Sequence, residues 1–534
     1  MVVEAGMEAD AAHASHDTPE TLIGPQRSPT SLLRYSPALV LLIAVLMNAA
    51  QWTDVDPWLR ILLGRLTIAR GHAPTSESFS YTAFGHPWWD HEWLTEVLFA
   101  AIYDKFGVLG LKLLKLACSC AIAALLAAAL AETGAAVSIQ LPILLASAIG
   151  LAPFVQYRPQ LFTFLFTSAL LAVLARENYR RTAPLWLAIP ICLLWANLHG
   201  AFFVGLGILA TYTTGAGAAD LIAGRGLWRG IRLGAITIAV ALATLVNPYG
   251  IRLWTTVLAS SGRWMKGLDT QWQPTLTVMA AQLHGSPATF VCLVVVLAAT
   301  AALGVLLVVR PRADDLPLVV VAAVVTASGL AAIRNLPLQA LAIVAPLGRR
   351  AGLLFGPAGA AAPAPPPRRS LGHELIIVAV ALMVALATGE LSGRLINTVD
   401  TPTGAVAFMR RHDLHGNVLC DFDWAAYFIA REVPPSRIFI DGRQDMAYPI
   451  AVLRDYIIFT EGGAGAAAVL RRYPPDYVLI PLGKPGYRFM SAQPDWRLVY
   501  RDNVSALFAR ADSPAARIDG VPVQGHSGPD FAPL

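Results

Sequence analysis

The sequence predicts a mainly α-helical, polytopic membrane protein: a transmembrane bundle of about eleven spans, a long external loop after the first span, and a small C-terminal α/β domain. Three observations predict it. Of 534 residues, 56% are hydrophobic and only 14% charged, with a mean hydropathy of +0.55, far from the balance of a soluble globular chain. The apolar residues fall in continuous runs, several close to the roughly 20 residues that a helix needs to cross a hydrocarbon core about 30 Å thick. From about residue 393 the chain turns polar, with β-like runs alternating with helix-like ones. Because the apolar runs are continuous rather than alternating, the spans are helices, which satisfy their own backbone inside lipid.

Composition also narrows the function classes. The formal net charge is +5, but the arginines are scattered over many short loops, as topology-setting charge is, and no nucleic-acid partner is expected. Cys118, Cys120, Cys192 and Cys292 lie in apolar runs, and Cys420 stands alone in the polar part. That pattern offers neither a disulfide framework nor zinc spacing. The sequence contains no Walker loop, Rossmann glycine pattern, G-x-S-x-G or H-E-x-x-H, so nucleotide-driven transport and the common hydrolase mechanisms find no support.

Residues 1–35 are polar and contain Pro, Ser, Thr and scattered acids, and are expected to form a disordered cytoplasmic N-terminus. No short cleavable signal precedes the first apolar run, 37–52, which reads as a retained anchor opening a transmembrane domain over 36–392. Further runs lie at 113–131, 137–154, 160–175, 184–198, 200–222, 233–247, 288–309, 316–333, 336–349 and 374–392, bounded by polar or Pro/Gly stretches. With the N-terminus inside, every second loop is cytoplasmic. Those loops hold Arg176, Arg180 and Arg181; Arg225, Arg229 and Arg232; Arg310 and Arg312; and Arg349, Arg350, Arg368 and Arg369, as the positive-inside bias requires. The alternate loops carry the unusual motifs DVDPW, WWDHEW, VQYRPQ, WANLHG, NPYGIRLW, DTQWQPT and IRNLP, which gathers them on one external face. The run 336–349 is short and holds Pro337 and Pro346; a re-entrant path there would invert the later topology.

The segment 357–369 is a Pro/Ala linker. Beyond it, an external domain is expected over 393–511, with strands in NVLCDFDW, SRIFIDGR, DYVLIP and WRLVYRDNVSALFAR and helices in TGAVAFMRRH and GGAGAAAVLRRY. Residues 512–534, rich in Pro, Gly and Ser, read as a flexible tail.

The first external loop, 53–112, carries two amphipathic helices. In PWLRILLGRLTIARG, Trp58, Leu62, Leu66 and Ala69 recur at helical spacing with Arg60, Arg65 and Arg70 off the stripe; in EWLTEVLFAAIYDKFG, Trp93, Leu94, Val97 and Ala101 do likewise. Both suit a membrane interface or the flank of the bundle. A first helix rising from the cytoplasm, acids at its outer end and a long loop with two such helices together resemble the type C (GT-C) glycosyltransferase superfamily, polytopic enzymes that take sugars from polyprenyl-phosphate carriers. A narrower likeness is to large bacterial membrane proteins of that kind whose first loop runs D-x-D-x-W, G-x-x-P, Phe-Ser-Tyr-Thr and His-Glu-Trp-Leu. Here these are Asp54, Asp56 and Trp58; Gly71 and Pro74; Phe79 to Thr82; and His91 to Leu94. WANLHG, NPYG and FIDGR complete the likeness, which covers about residues 37–510. Where such proteins often carry two adjacent aromatic or His residues after the first motif, this chain has Leu59-Arg60, which implies a different lining for part of the donor pocket.

Sugar transfer to a hydroxyl needs a base, and a carboxylate at a partly desolvated membrane lip can serve. Asp54 and Asp56 are two apart and cannot share a helical face. Asp56 precedes Pro57 and suits a helix cap, leaving Asp54 as the base, the role that the resemblance gives an acid in this place. Asp90, His91 and Glu92 form a polar cluster that could bind a divalent cation such as Mg or Mn, or hold an acceptor; Asp90 equally suits a helix cap. Arg158 and Arg334 lie at outer helix ends, against the usual inside bias, and are candidates for the donor phosphate, with snorkelling to headgroups as the competing role. His199 is a third phosphate or hydroxyl ligand candidate. Asn197, Asn247 and Gln271 could hydrogen-bond sugar hydroxyls, although turns and caps are their ordinary use. In the C-terminal domain, Asp421, Phe422, Asp423 and Trp424 form one motif and Asp441, Gly442 and Arg443 another, first a turn signal. Trp424, Tyr427 and Trp496 could stack on sugars but suit a core.

The expectation is a bacterial inner-membrane glycosyltransferase of the type C kind, acting on the external face. Its donor would be a polyprenyl-phosphate-linked sugar and its acceptor an envelope glycan, lipid or protein. Asp54, Asp56, His91 and Glu92 would be catalytic, with Arg158, Arg334 and His199 on phosphate and Asp90, Asn197 and Gln271 on substrate. Two alternatives stand beside it: a non-catalytic scaffold that binds lipid-linked glycan, and a transporter of such lipids.

Overall fold

The structure, a computed structural model, describes residues 36–48, 56–260, 270–282, 285–309, 312, 314–355, 371–387 and 401–518. Residues 1–35, Asp54 and the linker 357–369 lie outside the described residues, as does the tail beyond 518. Helix α1 (Pro37–Met47) is opened by Ser36, whose hydroxyl accepts the Leu39 amide at 2.9 Å, and by Pro37, which has no amide to leave unsatisfied. The first loop supplies α2 (Asp56–Arg70) and leads into α3 (Trp93–Glu132). The second expected amphipathic segment is thus the first part of α3, set off from the rest at Gly107, whose backbone has φ 61°, a conformation that costs a residue with a side chain.

The bundle continues with α4 (Val137–Leu151), α5 (Gln160–Arg180), α6 (Ala188–Leu198), α7 (Phe202–Ile222), α8 (Trp228–Ala243), α9 (Ile251–Ala259) and α10 (Thr275–Gln282). It closes with α11 (Pro287–Val309), α12 (Leu316–Ala331), α13 (Leu336–Ala342), α14 (Val344–Phe355) and α15 (Leu371–Ala387). Among the described residues α3, α5, α7 and α11 are long and apolar enough to cross a membrane, and α1, α4, α12, α15 and the stretch Leu185–Leu198 are apolar but shorter. The expected run 336–349 is split between α13 and α14, which bend by 44° where they meet. Pro346, in the first turn of α14, has no amide for the preceding helix and its ring crowds the backbone one turn back. With that bent pair counted as one span, up to five elements among the described residues are long and apolar enough to cross, and five shorter apolar helices stand beside them.

At the far ends of α3 and α5 the arginines expected to set topology are paired with acids. Arg180 meets Glu132 at 3.1 Å and Arg349 meets Asp314 at 3.2 Å. Arg350, fully buried, donates from Nε to Asp315 at 2.7 Å and from Nη2 to the Arg312 carbonyl at 2.9 Å.

The C-terminal domain contains α16 (Thr403–Arg411), β1 (Asn417–Cys420), α17 (Ala425–Glu432), β2 (Arg437–Ile438), α18 (Ile450–Thr460), α19 (Ala466–Arg472), β3 (Tyr477–Pro481), α20 (Pro485–Ser491), β4 (Trp496–Arg501) and β5 (Ser505–Arg510). The sheet runs β2-β1-β3-β5-β4, parallel across β2, β1 and β3 and antiparallel from β3 to β5 and β4. The start of the expected tail is folded onto it: Pro514–Arg517 makes a tight turn and buries Ala515 and Ala516. One continuous apolar core joins bundle and sheet.

The first loop is part of that sheet. The Tyr81 amide donates to Ile438 at 3.0 Å, the Ile438 amide donates to Phe79 at 3.0 Å, and the Thr82 hydroxyl donates to the Phe439 carbonyl. The Phe-Ser-Tyr-Thr motif therefore adds a short parallel strand to β2, satisfying backbone groups that an open edge would leave unpaired. On the bundle side, α2 lies directly against α3: a Cβ on Gly64 would collide with the Glu96 carbonyl. The first turns of α2 are buried all round, Leu59, Arg60 and Ile61 included. The helix therefore does not lie with one stripe in an interface, because neighbouring elements cover the face that carries Arg60.

Candidate active site

A polar cavity of about 690 Å³ lies between the bundle and the C-terminal domain. Six expected motifs reach it: Asp56 from DVDPW, Asp90 to Glu92 from WWDHEW, Arg158 and Gln160 from VQYRPQ, His199 and Gly200 from WANLHG, Gln271 and Trp272 from DTQWQPT, and Arg334 from IRNLP. A second cavity of about 200 Å³ shares Arg158, Gln160, Gln271 and Arg334 with the first, and its remaining walls are Pro153, Phe154, Phe164, Val278 and Ile333 together with Gln156, Gln282 and Thr289. The two arginines therefore stand at the seam between a polar chamber and a smaller slot of mixed, less polar lining.

Asp56 begins α2 and its carboxylate lies 3.3 Å from Arg158 Nε. It forms part of the cavity wall, at the start of the helix it was expected to cap. One turn on, Arg60 is buried, with Nη1 2.5 Å from Glu92 and 2.8 Å from Glu96. Burial would lower the guanidinium's pKa, but Glu92, Glu96 and Asp56 outweigh it and hold Arg60 charged.

Asp90 takes the Glu92 amide at 2.9 Å, closing a turn just ahead of α3 instead of capping the helix itself. Burial favours the neutral form of Glu92, yet Arg60, His91 and His199 prevail and its carboxyl stays well below the usual range. His199 Nε2 lies 3.3 Å and His91 Nε2 3.6 Å from the same Glu92 oxygen. His199 Nδ1 pairs with Thr163 Oγ1 at 2.7 Å, and Trp195 Nε1 donates to that hydroxyl at 3.0 Å. Burial pulls the His199 pKa below its ordinary value, against the Glu92 carboxylate. His199 is thus a neutral ring fixed in orientation, facing the cavity through Glu92.

Arg158 and Arg334 line cavities rather than the outer lipid-facing surface, which removes snorkelling as their main role. The Arg334 guanidinium carbon stands 4.1 Å from the centre of the Trp272 ring, a stacking that fixes its direction. Asn197 is placed otherwise than expected. Its amide donates to Leu193 and Val246, both at 2.9 Å, its oxygen accepts from Trp93 at 3.3 Å, and it is absent from the cavity lining. A helix junction has consumed all of its hydrogen-bonding capacity. Asn247 likewise serves a turn, accepting the Tyr249 amide at 2.8 Å.

The C-terminal wall is made of Phe422, Asp423, Gly442, Arg443, Gln444, Asp445 and Met446. Lys484 binds Asp421 at 2.7 Å and Asp423 at 3.5 Å, anchoring the first of these loops. Arg443 is buried against Asp441 at 2.6 Å and Glu77 at 2.7 Å, with the ring centres of Trp88 and Phe79 4.5 and 4.8 Å from its guanidinium. Trp424 and Tyr427 are core residues, and the aromatic in the wall is Phe422. In the sequence Arg60 stood out as a charge off the apolar stripe and as a break in an aromatic pattern, neither of which marks it as buried. Lys115, a charge inside the apolar run 113–131, gave a signal that was not weighed; it is buried with its ammonium 4.5 Å from the Tyr157 ring centre.

Among the described residues no three His, Cys, Asp or Glu side chains are arranged to hold a metal ion. Each carboxylate at the cavity has a partner from the chain: Asp56 has Arg158, Glu92 has Arg60 and the two histidines, Asp90 the Glu92 amide, Asp423 Lys484, and Asp445 the Ser260 hydroxyl. Those residues do not fit a divalent cation.

No protein-family model matches the sequence, and no curated protein sequence does. Solved structures do. The oligosaccharyltransferase of Archaeoglobus fulgidus, solved with Zn and sulfate, superposes with a TM-score of 0.51 at 13% identity, over 84% of this chain and 68% of that one. The same enzyme, AglB, in complex with an inhibitory peptide and a dolichol-phosphate, gives a TM-score of 0.51 at 12% identity, over 84% and 70%. The mycobacterial arabinofuranosyltransferase AftD gives 0.49 at 14% identity, over 89% of this chain and 39% of its own. The chain is thus similar in fold to the archaeal oligosaccharyltransferase.

Proposed function

We propose that this protein is a membrane glycosyltransferase that moves a sugar from a polyprenyl-phosphate carrier to an envelope glycan, lipid or protein on the external face of a bacterial inner membrane. The observation that carries the reading is the seam at Arg158 and Arg334, where a less polar slot with Phe154, Phe164, Val278 and Ile333 in its wall meets a polar chamber. A polyprenyl phosphate has that polarity: the isoprenoid chain suits the slot, the phosphate the arginines, and the sugar the chamber. The archaeal neighbour's complex with a dolichol-phosphate involves a lipid of the same chemical class.

The acceptor hydroxyl attacks the anomeric carbon, its proton passes to Asp54, and the carbon–oxygen bond to phosphate breaks with its electron pair on the phosphate. The configuration inverts. Asp54, two residues before Asp56, lies outside the described residues, and its role rests on the sequence. Asp56 steers Arg158, and Arg158 and Arg334 carry the charge that grows on the leaving phosphate. Glu92, held by His91 and His199, borders the sugar's place, and Gln271 offers an amide to sugar or phosphate. Asp423, Gln444 and Asp445 face the acceptor.

Purified protein incubated with labelled polyprenyl-phosphate sugar and membrane-derived acceptors tests this. Asp54→Asn should abolish transfer while the protein still folds. Replacing Arg334 by Gln should weaken donor binding about 10–100-fold, the worth of one charge-assisted hydrogen bond. Full transfer by Asp54→Asn would remove the base, and donor binding without any new glycosidic bond would make the protein a non-catalytic binder of lipid-linked glycan.

A further inference from the structure

We infer that the Arg60 guanidinium occupies the place that a divalent cation would take among the acids of this cavity, so that the chain supplies the charge itself and transfer proceeds without a metal. The second half of that statement rests on the glycosyltransferase reading; the first does not.

Two carboxylates, from Glu92 and Glu96, hold one guanidinium, and Asp56 and Asp90 line the same cavity. Arg60 Nη1 is within 2.5 Å of Glu92 and 2.8 Å of Glu96. Asp56 lies one turn earlier on α2, close enough to stabilise the charge. A Mg or Mn ion needs about six oxygens at roughly 2.0–2.6 Å, and here one oxygen each of Glu92 and Glu96 is taken by Arg60 Nη1. A second positive charge in the same place would meet direct repulsion in a poorly solvated setting.

Arg60 is not free to withdraw. Its side chain is 8% exposed, and α2 is pressed on α3 at Gly64, one turn beyond it. The guanidinium is therefore a fixed part of the wall, whereas a metal would come and go. It touches the chamber through Glu92, whose other oxygen faces His199 and His91, so Arg60 is a positioning residue that sets the charge of Glu92's surroundings.

The test is Mn binding by the purified full-length protein, followed by electron paramagnetic resonance. Wild type should show no saturable site, and Arg60→Ala, with its acids left uncompensated, should gain one, its apparent Mn affinity rising about tenfold or more. Arg60→Gln, nearly the same shape without charge, should behave likewise if the alanine variant does not fold. Saturable binding of one Mn by wild type would overturn the inference, as would a folded charge-neutral variant that gains none. In the transfer assay, wild type should be indifferent to EDTA, and Mn should restore part of the activity lost in Arg60→Ala. Wild-type transfer abolished by EDTA and restored by Mn would also overturn it. Absence of transfer in every condition would count against the glycosyltransferase reading, while the Mn titration would still decide the role of Arg60.

Discussion

Arg60 and Arg443 stand on opposite walls of one cavity, and each is a buried guanidinium held by two carboxylates. Arg60 pairs with Glu92 and Glu96, both near the start of α3. Arg443 pairs with Asp441 of its own turn and with Glu77 of the first loop, 366 residues away. Glu77 is itself locked by the Phe79 and Ser80 amides at 2.7 and 3.1 Å, in the segment that adds a strand to β2. Arg443 is therefore the rivet between loop and domain, further enclosed by Trp88, Phe79 and Tyr448. Arg60 joins neighbours along one helix pair, and its partner Glu92 looks into the chamber past two histidines. The same ion triad is sealed behind aromatic rings at Arg443 and, at Arg60, keeps one acid facing the chamber.

The comparison breaks most visibly at Arg443. Arg443→Met would leave Asp441 and Glu77 buried without a counter-charge, at a cost of about 3–5 kcal/mol. The C-terminal domain should then be released from the first loop, read as early cleavage near the domain boundary in limited proteolysis and a lower melting temperature. Survival of the native protease pattern would show that the rivet is dispensable.

Arg60→Met should cost less, about 1–3 kcal/mol, because Glu92 abuts the polar chamber instead of being sealed from it. The loss should appear as reduced transfer with the domain interface intact. A larger loss of melting temperature than in Arg443→Met would invert the comparison.

Acidification sharpens the functional side. The His199 pKa is lowered by burial, so the unfolded state takes up a proton first as pH falls, and the stability that neutral His199 contributes is lost below its ordinary value near 6.5. Glu92, also held low, adds a second loss below about 4.5. The melting temperature should therefore fall between about pH 7 and 5.5, and His199→Gln should flatten that slope. An unchanged slope would assign it to other groups.

The smallest effect is expected at Asn197. Asn197→Ala removes bonds at a helix junction and should cost about 1 kcal/mol while leaving donor affinity within twofold, since its amide lies outside the cavity lining. A large loss of donor affinity would return Asn197 to the site.

Particular residues show where the sequence sufficed. The positions of Asp56, His91, Glu92, Arg158, Gln271 and Arg334 were legible because a charge or amide at the end of an apolar run is costly and rarely idle. That these motifs meet was legible from topology, since helices that cross a membrane return their ends to two faces only. The C-terminal strands could be read from alternation and turn residues, and β1, β3, β4 and β5 fall in the expected runs. Helices α17, α18 and α20 lie outside the segments read as helical.

What the sequence by itself determined, then, is the class of molecule and the set of polar residues gathered at helix ends, because the hydrophobic effect and the backbone's need for hydrogen bonds act on local runs. Only the tertiary structure decided which of those residues share a chamber. Asn197 and His199 are two apart in sequence, yet one is consumed by a helix junction and the other faces Glu92. Arg60, read as an outward charge on an amphipathic helix, is buried because α3 and its acids cover that face. Partners 36 and 366 residues away set the electrostatic state of Arg60 and Arg443. No local pattern encodes them, because pairing energy depends on distance in space and on the water excluded around the pair.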